Sequence, residues 1–448
     1  MEYKAFTIKN LHQIKQLQEF PEEFFKEIEL LSAIYPVKTN NYVIDELIDW
    51  KNVPDDPIFR MNFPNKEMLI PEHYERITEA LKHGKASEEF KTAVNDIRME
   101  LNPHPAEQLQ HNVPLLDGKP AKGLQHKYRE TVLFFPKEGQ TCHAYCTFCF
   151  RWPQFIHERG MKIMAEERDI LVRYLRVHPE VTNILFTGGD PLIISSKILR
   201  FYIKPLLSEE FSHIHTIRIG TKALSYWPYR FTQDKDSQEL LDLFRMVIGN
   251  GKQLAIMAHF NHYRELETEA TQNAIKAVLQ TGALIRTQSP LLKHINDSSE
   301  IWKKLWRMQL GLGCIPYYMF IARDTGAKHY FEVPLTTAYE IYREAYSQIS
   351  GLGRTVRGPS MSAAPGKIHI LGILETKLGK FFILQFLQAR NPEWVRKPFL
   401  AKYNPKATWI SELEPAFDEK NFFWEEELTQ MDKEASQNLD IIWDDDGE

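Results

Sequence analysis

Three of the four cysteines in this 448-residue chain, Cys142, Cys146 and Cys149, lie within a single short segment. Thiolates are the preferred ligands of iron–sulfur clusters, and a fully ligated 4Fe-4S cluster uses four of them. The C-x3-C-x2-C spacing therefore predicts a 4Fe-4S cluster that has three irons bound to cysteine. The fourth iron is left open, so that another molecule can bind there and receive an electron.

A structural zinc site is the main alternative for these cysteines. Zinc binds four protein ligands, and His143 or a more distant histidine could complete a Cys3His set. Zinc-binding cysteines, however, usually come as pairs that are separated by roughly a dozen or more residues. The short spacing favours the cluster, and a disulfide is not expected because Cys314 lies far along the chain.

Short apolar segments alternate with amphipathic stretches over most of the chain. The apolar segments are 131–136, 181–187, 216–220, 253–259, 283–287 and 316–321. The amphipathic stretches are 163–178, 194–206, 237–249, 265–281, 299–311 and 335–348. This alternation indicates βαβ units and a parallel sheet, which predicts a partial (β/α)6 TIM-like barrel. A doubly wound sheet is the competing fold, because strand order cannot be read from the sequence.

Polar residues follow the predicted strands, where a parallel barrel gathers its catalytic groups. The groups, in strand order, are the cysteine loop, Thr187–Asp190, Thr221-Lys222, His259–His262, Gln288-Ser289 and Arg323-Asp324. We expect these groups to converge at one mouth of the barrel.

The Gly188-Gly189-Asp190 segment would expose backbone groups to a bound ligand, because glycine has no Cβ. The alternative is a strand-to-helix turn in which Asp190 is the N-cap and Pro191 the first helical residue. His259 and His262 could form a metal pair, but without carboxylate or cysteine partners they are more often hydrogen-bonding groups.

Two basic residues have side chains that suit the binding of an amino acid. Arg151 follows Cys149 closely, and its guanidinium can fork onto a carboxylate or onto an internal acid. Lys367 follows Pro365-Gly366, a turn that can direct the amine into the barrel mouth. A lysine so placed can form a Schiff base with pyridoxal phosphate (PLP), although a lone lysine after Pro-Gly is usually a surface residue.

Together these motifs resemble the lysine 2,3-aminomutase family of radical S-adenosylmethionine (SAM), PLP-dependent enzymes. The resemblance covers roughly residues 45–375. Its segments are 53–64, 123–134, the cysteine loop, 187–192, 217–222, 259–262, 288–292, 316–318 and 365–367. The cysteine spacing is common to radical SAM enzymes, whereas the HKY, IRIGT, HFNH, PYY and PGK motifs are specific to this family.

The resemblance implies a radical SAM partial barrel and an isomerase that moves the α-amino group of an amino acid to the β-carbon. It implies that Cys142, Cys146 and Cys149 hold the cluster. The implied SAM-binding residues are Gly188, Gly189, Asp190, His259, Gln288 and Ser289. PLP would be bound by Lys127, Tyr128 and the catalytic Lys367, and the substrate by Arg151 and Arg323.

The chain departs from this family at residues that bear on substrate and cofactor. Lysine-specific members hold the distal ammonium with two aspartates, and Arg323 and Ala363 stand at those positions here, although a one-residue slip would bring Asp324 there. Because an arginine repels an ammonium and attracts a carboxylate, we predict an acidic, glutamate-like substrate, with lysine as the alternative. Thr131 stands where the family commonly has a second basic residue near the PLP phosphate.

Composition bounds the remaining expectations. Hydrophobic residues make up 43% and the net charge is −5, which argues against nucleic-acid binding. Without a signal peptide or an 18-residue apolar run, we expect a cytoplasmic protein with no membrane contact. Its expected partners are the amino acid, a reductant such as flavodoxin or ferredoxin, and further copies of itself.

We expect three regions along the chain: a mainly helical segment with a linker over 1–125, the barrel with the PLP site over 126–375, and a cap or oligomerisation segment over 376–448. Two other functions stay open at this point. One is a radical SAM protein that does not use PLP. The other is a non-catalytic Fe-S or zinc-binding protein.

Overall fold

A computed structural model describes residues 1–102, 112–155, 163–165 and 167–443 of the chain, with side chains up to residue 434. Its main feature is an 11-stranded sheet. The strands of the chain are β1 (Ala5–Thr7), β2 (Lys38–Asn40), β3 (Leu115–Leu116), β4 (Lys119–Pro120), β5 (Leu124–Tyr128), β6 (Thr131–Phe134), β7 (Asn183–Phe186), β8 (Thr216–Thr221), β9 (Gln253–His259), β10 (Leu284–Leu291), β11 (Ile315–Ile321), β12 (Arg357–Ser362), β13 (Gly366–Thr376), β14 (Gly379–Ala389) and β15 (Pro398–Lys402).

Helices connect most of these strands. They are α1 (Glu22–Leu31), α2 (Pro57–Asn62), α3 (Pro71–Leu81), α4 (Glu88–Glu100), α5 (Ile170–Arg176), α6 (Ser196–Ile203), α7 (Ala223–Tyr226), α8 (Ser237–Gly249), α9 (Glu269–Leu279), α10 (Ser299–Gly311), α11 (Lys328–Phe331), α12 (Leu335–Ser347) and α13 (Glu425–Trp443). Each of the six amphipathic stretches contains one of these helices, and two match their predicted bounds, α8 and α10.

The parallel strands β6 to β12 lie side by side in the order in which the chain forms them. A doubly wound sheet reverses its strand order at a switch point, so the competing fold is wrong. Apolar residues of the strands and of the connecting helices, such as Ile219 and Phe244, belong to one hydrophobic core. The fold is a partial barrel of the radical SAM type, as predicted.

The barrel has elements beyond the six predicted units. β12 is a seventh parallel strand, and its sequence, RGPSMS, contains no apolar run that would have predicted it. β5 adds an antiparallel strand at one end of the sheet, and β13, β14 and β15 add three at the other. β14 also contacts β5, so that the C-terminal strands cover the open side of the barrel.

The N-terminal segment forms a second hydrophobic core that includes Trp152, Trp227 and Phe331 from the barrel. This segment is mainly helical, as predicted, and Gly84, with a positive φ of 92°, lies between α3 and α4. Residues 103–111, which belong to the expected linker, lie outside the described residues. No described helix has both the length and the apolar composition to cross a bilayer.

Candidate active site

A cavity of about 400 Å³ opens at the carboxyl ends of the parallel strands. Its walls include all but one of the site residues predicted from the sequence: Cys142, Cys146, Cys149, Gly188, Gly189, Asp190, His259, Gln288, Lys127, Tyr128, Arg151, Arg323 and Lys367. Ser289 is the exception. β10 runs on to Leu291 instead of ending at 287, and side chains alternate along a strand, so Gln288 faces the cavity while Ser289 is buried on the other side.

The three clustered thiols lie in buried surroundings that oppose their deprotonation. Burial raises the pKa of Cys146 to about 12 and also raises the pKa values of Cys142 and Cys149. Each thiolate would add to the charge felt by the other two, which opposes ionisation further. A cationic metal group reverses this balance because it stabilises all three thiolates at once. The donor set therefore fits a metal cluster.

The spacing of the sulfur atoms bears on which metal group fits. Tetrahedral zinc, with Zn–S bonds of about 2.3 Å, holds its ligand atoms within roughly 4 Å of one another. Among the described residues, only His126, His178 and Glu180 form a group of three possible ligands whose atoms all lie within 4.8 Å. The cysteine sulfurs do not, with or without His143. That wider spacing does not suit a single zinc ion and suits the separate corners of an iron–sulfur cluster.

The N-terminal segment holds the backbone of the cysteine loop. The N–H of Tyr145 donates to the Lys38 carbonyl over 2.7 Å, and the N–H of Thr147 donates to the Met61 carbonyl over 2.9 Å. The buried Asn40 amide donates to the carbonyls of His143 and Tyr226. These bonds satisfy polar groups of a loop that has no secondary structure to do so.

The Gly188-Gly189-Asp190 segment packs directly on the start of that loop. A Cβ at Gly189 would lie 2.4 Å from the Thr141 carbonyl oxygen, and Gly188 has a φ of +139°. Asp190 is the N-cap of a short 3-10 helix that begins with Pro191, and its carboxylate accepts from the Leu192 N–H, the Thr221 hydroxyl and the Lys222 N–H. The glycines thus let the end of β7 approach the cysteine loop. Through its hydrogen bonds to Thr221 and Lys222, Asp190 links the end of β7 to the end of β8.

His259 and His262 do not form a metal pair. Gln288 donates to His259 Nε2 over 2.7 Å, while His262 Nδ1 accepts from the backbone N–H of Arg264. Burial and the Lys222 ammonium lower the pKa of His259 to about 3, so the ring is neutral and accepts the amide proton. Buried Glu265 pairs with Lys222 and fixes this end of the cavity.

Lys367 lies on β13, opposite Gln388 of β14. Its Nζ donates to Gln388 Oε1 over 2.8 Å and lies 4.7 Å from the ring centroid of Tyr318. Burial, followed by the charges of Arg218 and Arg357, lowers the pKa of Lys367 to about 7. A neutral amine is the form that attacks an aldehyde, so this lysine fits the attachment of PLP.

Arg151 and Arg323 both lie against the ring of Phe150, at 5.1 and 5.0 Å from its centroid. Burial, with a smaller contribution from the charge of Arg323, lowers the pKa of Arg151 to about 10. Arg151 Nη1 is buried without a hydrogen-bond partner, which leaves a donor available to a bound carboxylate. Arg323 lines the described cavity wall, whereas Asp324 does not, and which of them faces the substrate side chain stays a prediction.

The described wall is strongly basic. Its basic side chains are Lys127, Arg151, Arg218, Lys222, Arg323, Lys328, Lys367 and Arg390, whereas Asp190 is its single carboxylate. The polar wall residues that were not predicted from the sequence include Arg218, Gln388 and Arg390. Arg218 interrupts the apolar run of β8 at an inward-facing position, which was a usable signal. Gln388 and Arg390 had none, because they reach the cavity only through the pairing of β14.

Comparison with known proteins agrees with this arrangement. A protein of Aquifex aeolicus described as "Putative L-lysine 2,3-aminomutase" is 33% identical over 405 residues, which is 90% of this chain and 95% of its own length. The L-lysine 2,3-aminomutase of Bacillus subtilis is 31% identical over 235 residues, covering 52% of this chain and 47% of its own length.

No protein-family model matches the sequence. A radical SAM methyltransferase from Sphaerobacter thermophilus is a weak structural match, with a TM-score of 0.37 and 18% identity over 53% of this chain and 68% of that one. The near-complete match to the Aquifex protein shows that this chain belongs to the lysine 2,3-aminomutase family of radical SAM enzymes, whose cofactors are a 4Fe-4S cluster, SAM and PLP.

Proposed function

We propose that this protein is a PLP-dependent radical SAM 2,3-aminomutase whose substrate is an acidic, glutamate-like amino acid. The observation that carries the proposal is the pair of arginines against Phe150, in a described wall whose single carboxylate is already hydrogen-bonded. Arg151 binds the α-carboxylate and Arg323 binds the side-chain carboxylate. A dicarboxylate between the two guanidinium groups offsets their mutual repulsion, and each carboxylate can accept from a guanidinium.

The cysteine trio would hold the cluster, and the strand-end residues Gly188, Gly189, His259 and Gln288 would line the SAM position. Lys127, Tyr128 and Lys367 would hold PLP. When bound, the cluster and SAM supply the radical that removes a hydrogen atom, and PLP carries the migrating nitrogen. The chain itself holds the substrate at both ends and keeps water away with aromatic walls that include Phe155, Tyr317 and Phe331.

Neutral Lys367 has a further part in this proposal. Its lowered pKa, about 7, leaves a large fraction of the amine unprotonated at neutral pH, so that it can take back PLP when the product leaves. The Gln388 amide oxygen accepts from this amine and holds it beside the cavity. The site therefore offers a positioned nucleophile without a separate general base.

Lysine is the competing substrate, because the names of the curated relatives specify it. A lysine bound through Arg151 would bring its ammonium toward Arg323, and like charges in a desolvated site cost several kcal/mol. No carboxylate of the described wall is placed to offset that repulsion, since Asp190 is bonded to Thr221 and to two backbone N–H groups.

The test is a comparison of substrates with anaerobically reconstituted enzyme. Glutamate and lysine are supplied separately, and β-amino acid formation is followed by chromatography after derivatisation. We expect kcat/KM for glutamate to exceed that for lysine by about a hundredfold, equivalent to about 2.7 kcal/mol. Efficient β-lysine formation with no turnover of glutamate would overturn the proposal.

A further inference from the structure

The C-terminal strand β14 brings two polar side chains to the PLP end of the cavity. β14 pairs with β13 so that Gln388 lies opposite Lys367 and Ala389 opposite Gly366. Gly366 allows this close pairing, since a Cβ there would lie 2.2 Å from the Gln388 carbonyl oxygen. Gln388 and Arg390 are two residues apart and both line the cavity.

Arg390 is bonded to the turn that carries Lys367. Its Nε donates to the Ala364 carbonyl over 2.9 Å, and its backbone N–H donates to the Pro365 carbonyl over 3.0 Å. Lys127 Nζ, from β5, donates to the carbonyl of the preceding residue, Ala363, over 2.5 Å. Two cations from opposite ends of the sheet therefore meet on one short turn.

This meeting point lies on the turn just before Lys367, where it would suit the phosphate of PLP. In PLP the aldehyde and the phosphate-bearing methylene are attached to neighbouring ring carbons. The phosphate therefore lies close to whichever lysine holds the aldehyde, and Lys367 is that lysine in the proposed function. Lys127 and Arg390 are the cations fixed on the turn that leads to Lys367.

A phosphate dianion is stabilised better by two cations than by one. Residue 131, expected to be basic in this family, is a buried threonine on the cavity wall and carries no charge. Arg390 Nε and Nη2 donate to the Ala364 carbonyl and to Asn112 Oδ1, so its permanent positive charge is what it offers to a phosphate. Arg390 can supply this charge from another strand, which Thr131 cannot.

We propose that Arg390 binds the phosphate of PLP together with Lys127, in place of the basic residue missing at position 131. This inference rests on the PLP dependence in the proposed function but not on its acidic substrate. It gives the C-terminal strands a role in cofactor binding, since β14 supplies both Arg390 and the partner of Lys367.

The test compares PLP with pyridoxal, which has the aldehyde but no phosphate. Dissociation constants of both are measured by absorbance titration of the apo-protein for the wild type, Arg390→Gln and Arg390→Lys. We expect Arg390→Gln to weaken PLP binding by about ten- to a hundredfold and to change pyridoxal binding by less than about twofold. Arg390→Lys should lose less affinity for PLP than Arg390→Gln, because lysine keeps the positive charge. Lys397→Gln, an exposed residue before β15, is the matched control and should bind both ligands normally.

Two results would overturn the inference: unchanged PLP binding in Arg390→Gln, or an equal loss for PLP and pyridoxal, which would mean that Arg390 only holds the turn. If Arg390→Gln does not fold, Arg390→Lys decides, because selective weakening of PLP is still expected. The substrate assay under saturating PLP is independent of these titrations, so a failure of the acidic-substrate proposal can be told apart from a failure here.

Discussion

Arg151 and Arg323 lie against one phenyl ring, that of Phe150, although they are far apart in the sequence. Arg151 belongs to the segment after the cysteine loop, and Arg323 follows the last of the six predicted strands. Like charges in a buried site repel each other, and a bound anion offsets that repulsion. Burial is the main cause of the lowered pKa of Arg151, and the charge of Arg323 contributes to it, which is consistent with the preference that we propose for a dicarboxylate.

The first prediction concerns Arg323. Its replacement by glutamine should lower kcat/KM for the acidic substrate by about a hundredfold, because the side-chain carboxylate loses a charged partner in a desolvated site. The loss should be much smaller for an uncharged amino acid such as alanine. Arg245→Gln removes an exposed arginine on α8 and should leave both rates unchanged. An equal loss for acidic and neutral substrates would contradict the assigned role.

The second prediction concerns the pH dependence of PLP uptake. Because the pKa of Lys367 is lowered to about 7, the amine is protonated below that pH and reactive above it. The uptake rate in the apo-protein should therefore rise with pH through about 7. Arg218→Met removes a positive neighbour, which favours the protonated amine and should move the midpoint to higher pH.

Arg286→Met is the matched control for that shift. Arg286 lies on β10 beside Tyr317 and is not among the charges that act on Lys367. Stopped-flow absorbance of PLP uptake across the pH range measures both variants. A midpoint that moves downward in Arg218→Met, or that moves equally in both variants, would count against a charge effect on Lys367.

The third prediction separates the clustered cysteines from Cys314. Cys149→Ala should fail to retain the cluster after anaerobic reconstitution, because two thiolates are too few to hold it. Cys314 is buried in the main core, so Cys314→Ala should keep its iron and lose about 1 kcal/mol of stability. Iron and sulfide analysis gives the answer. Equal iron loss in the two variants would contradict the assignment.

The fourth prediction uses two glycines in different surroundings. Gly189→Ala would place a methyl group 2.4 Å from the Thr141 carbonyl oxygen, so the cysteine loop must shift. We expect a loss of about 1 to 3 kcal/mol in the free energy of unfolding, together with reduced iron content. Gly311→Ala, at the end of α10 with no atom within 4 Å, should be neutral or slightly stabilising. Urea unfolding of both apo-proteins measures these free energies. Equal stability of the two variants would contradict the close packing of Gly189 on the cysteine loop.

The sequence predicts the barrel well where apolar runs mark the strands. All six predicted strands exist, and each carries buried apolar residues, with helices between the strands. β12 was missed for the opposite reason, since Gly358, Pro359 and two serines give it a polar appearance. The pairing of β13 with β14 could not be predicted from the sequence either, because register and strand order depend on contacts between distant segments.

Site residues likewise divide into those that a local motif marks and those that only contacts between distant segments bring to the site. The cysteine loop, Gly188-Gly189 and Lys367 are recognisable because neighbouring residues form their motifs. Ser289 was assigned to the site because β10 was expected to end before it, and a longer strand turns it away from the cavity. Arg390 could not be found at all from the sequence, since only the folding of β14 against β5 brings it near Lys127.

The most direct measurement follows the nitrogen of glutamate labelled with 15N at its amino group. The labelled substrate is incubated anaerobically with the reconstituted enzyme, SAM, PLP and a reductant, and the product is examined by NMR. The account predicts 3-aminopentanedioate with the 15N label retained on C3. Absence of this product, under conditions in which the same preparation converts lysine to β-lysine, would contradict the account.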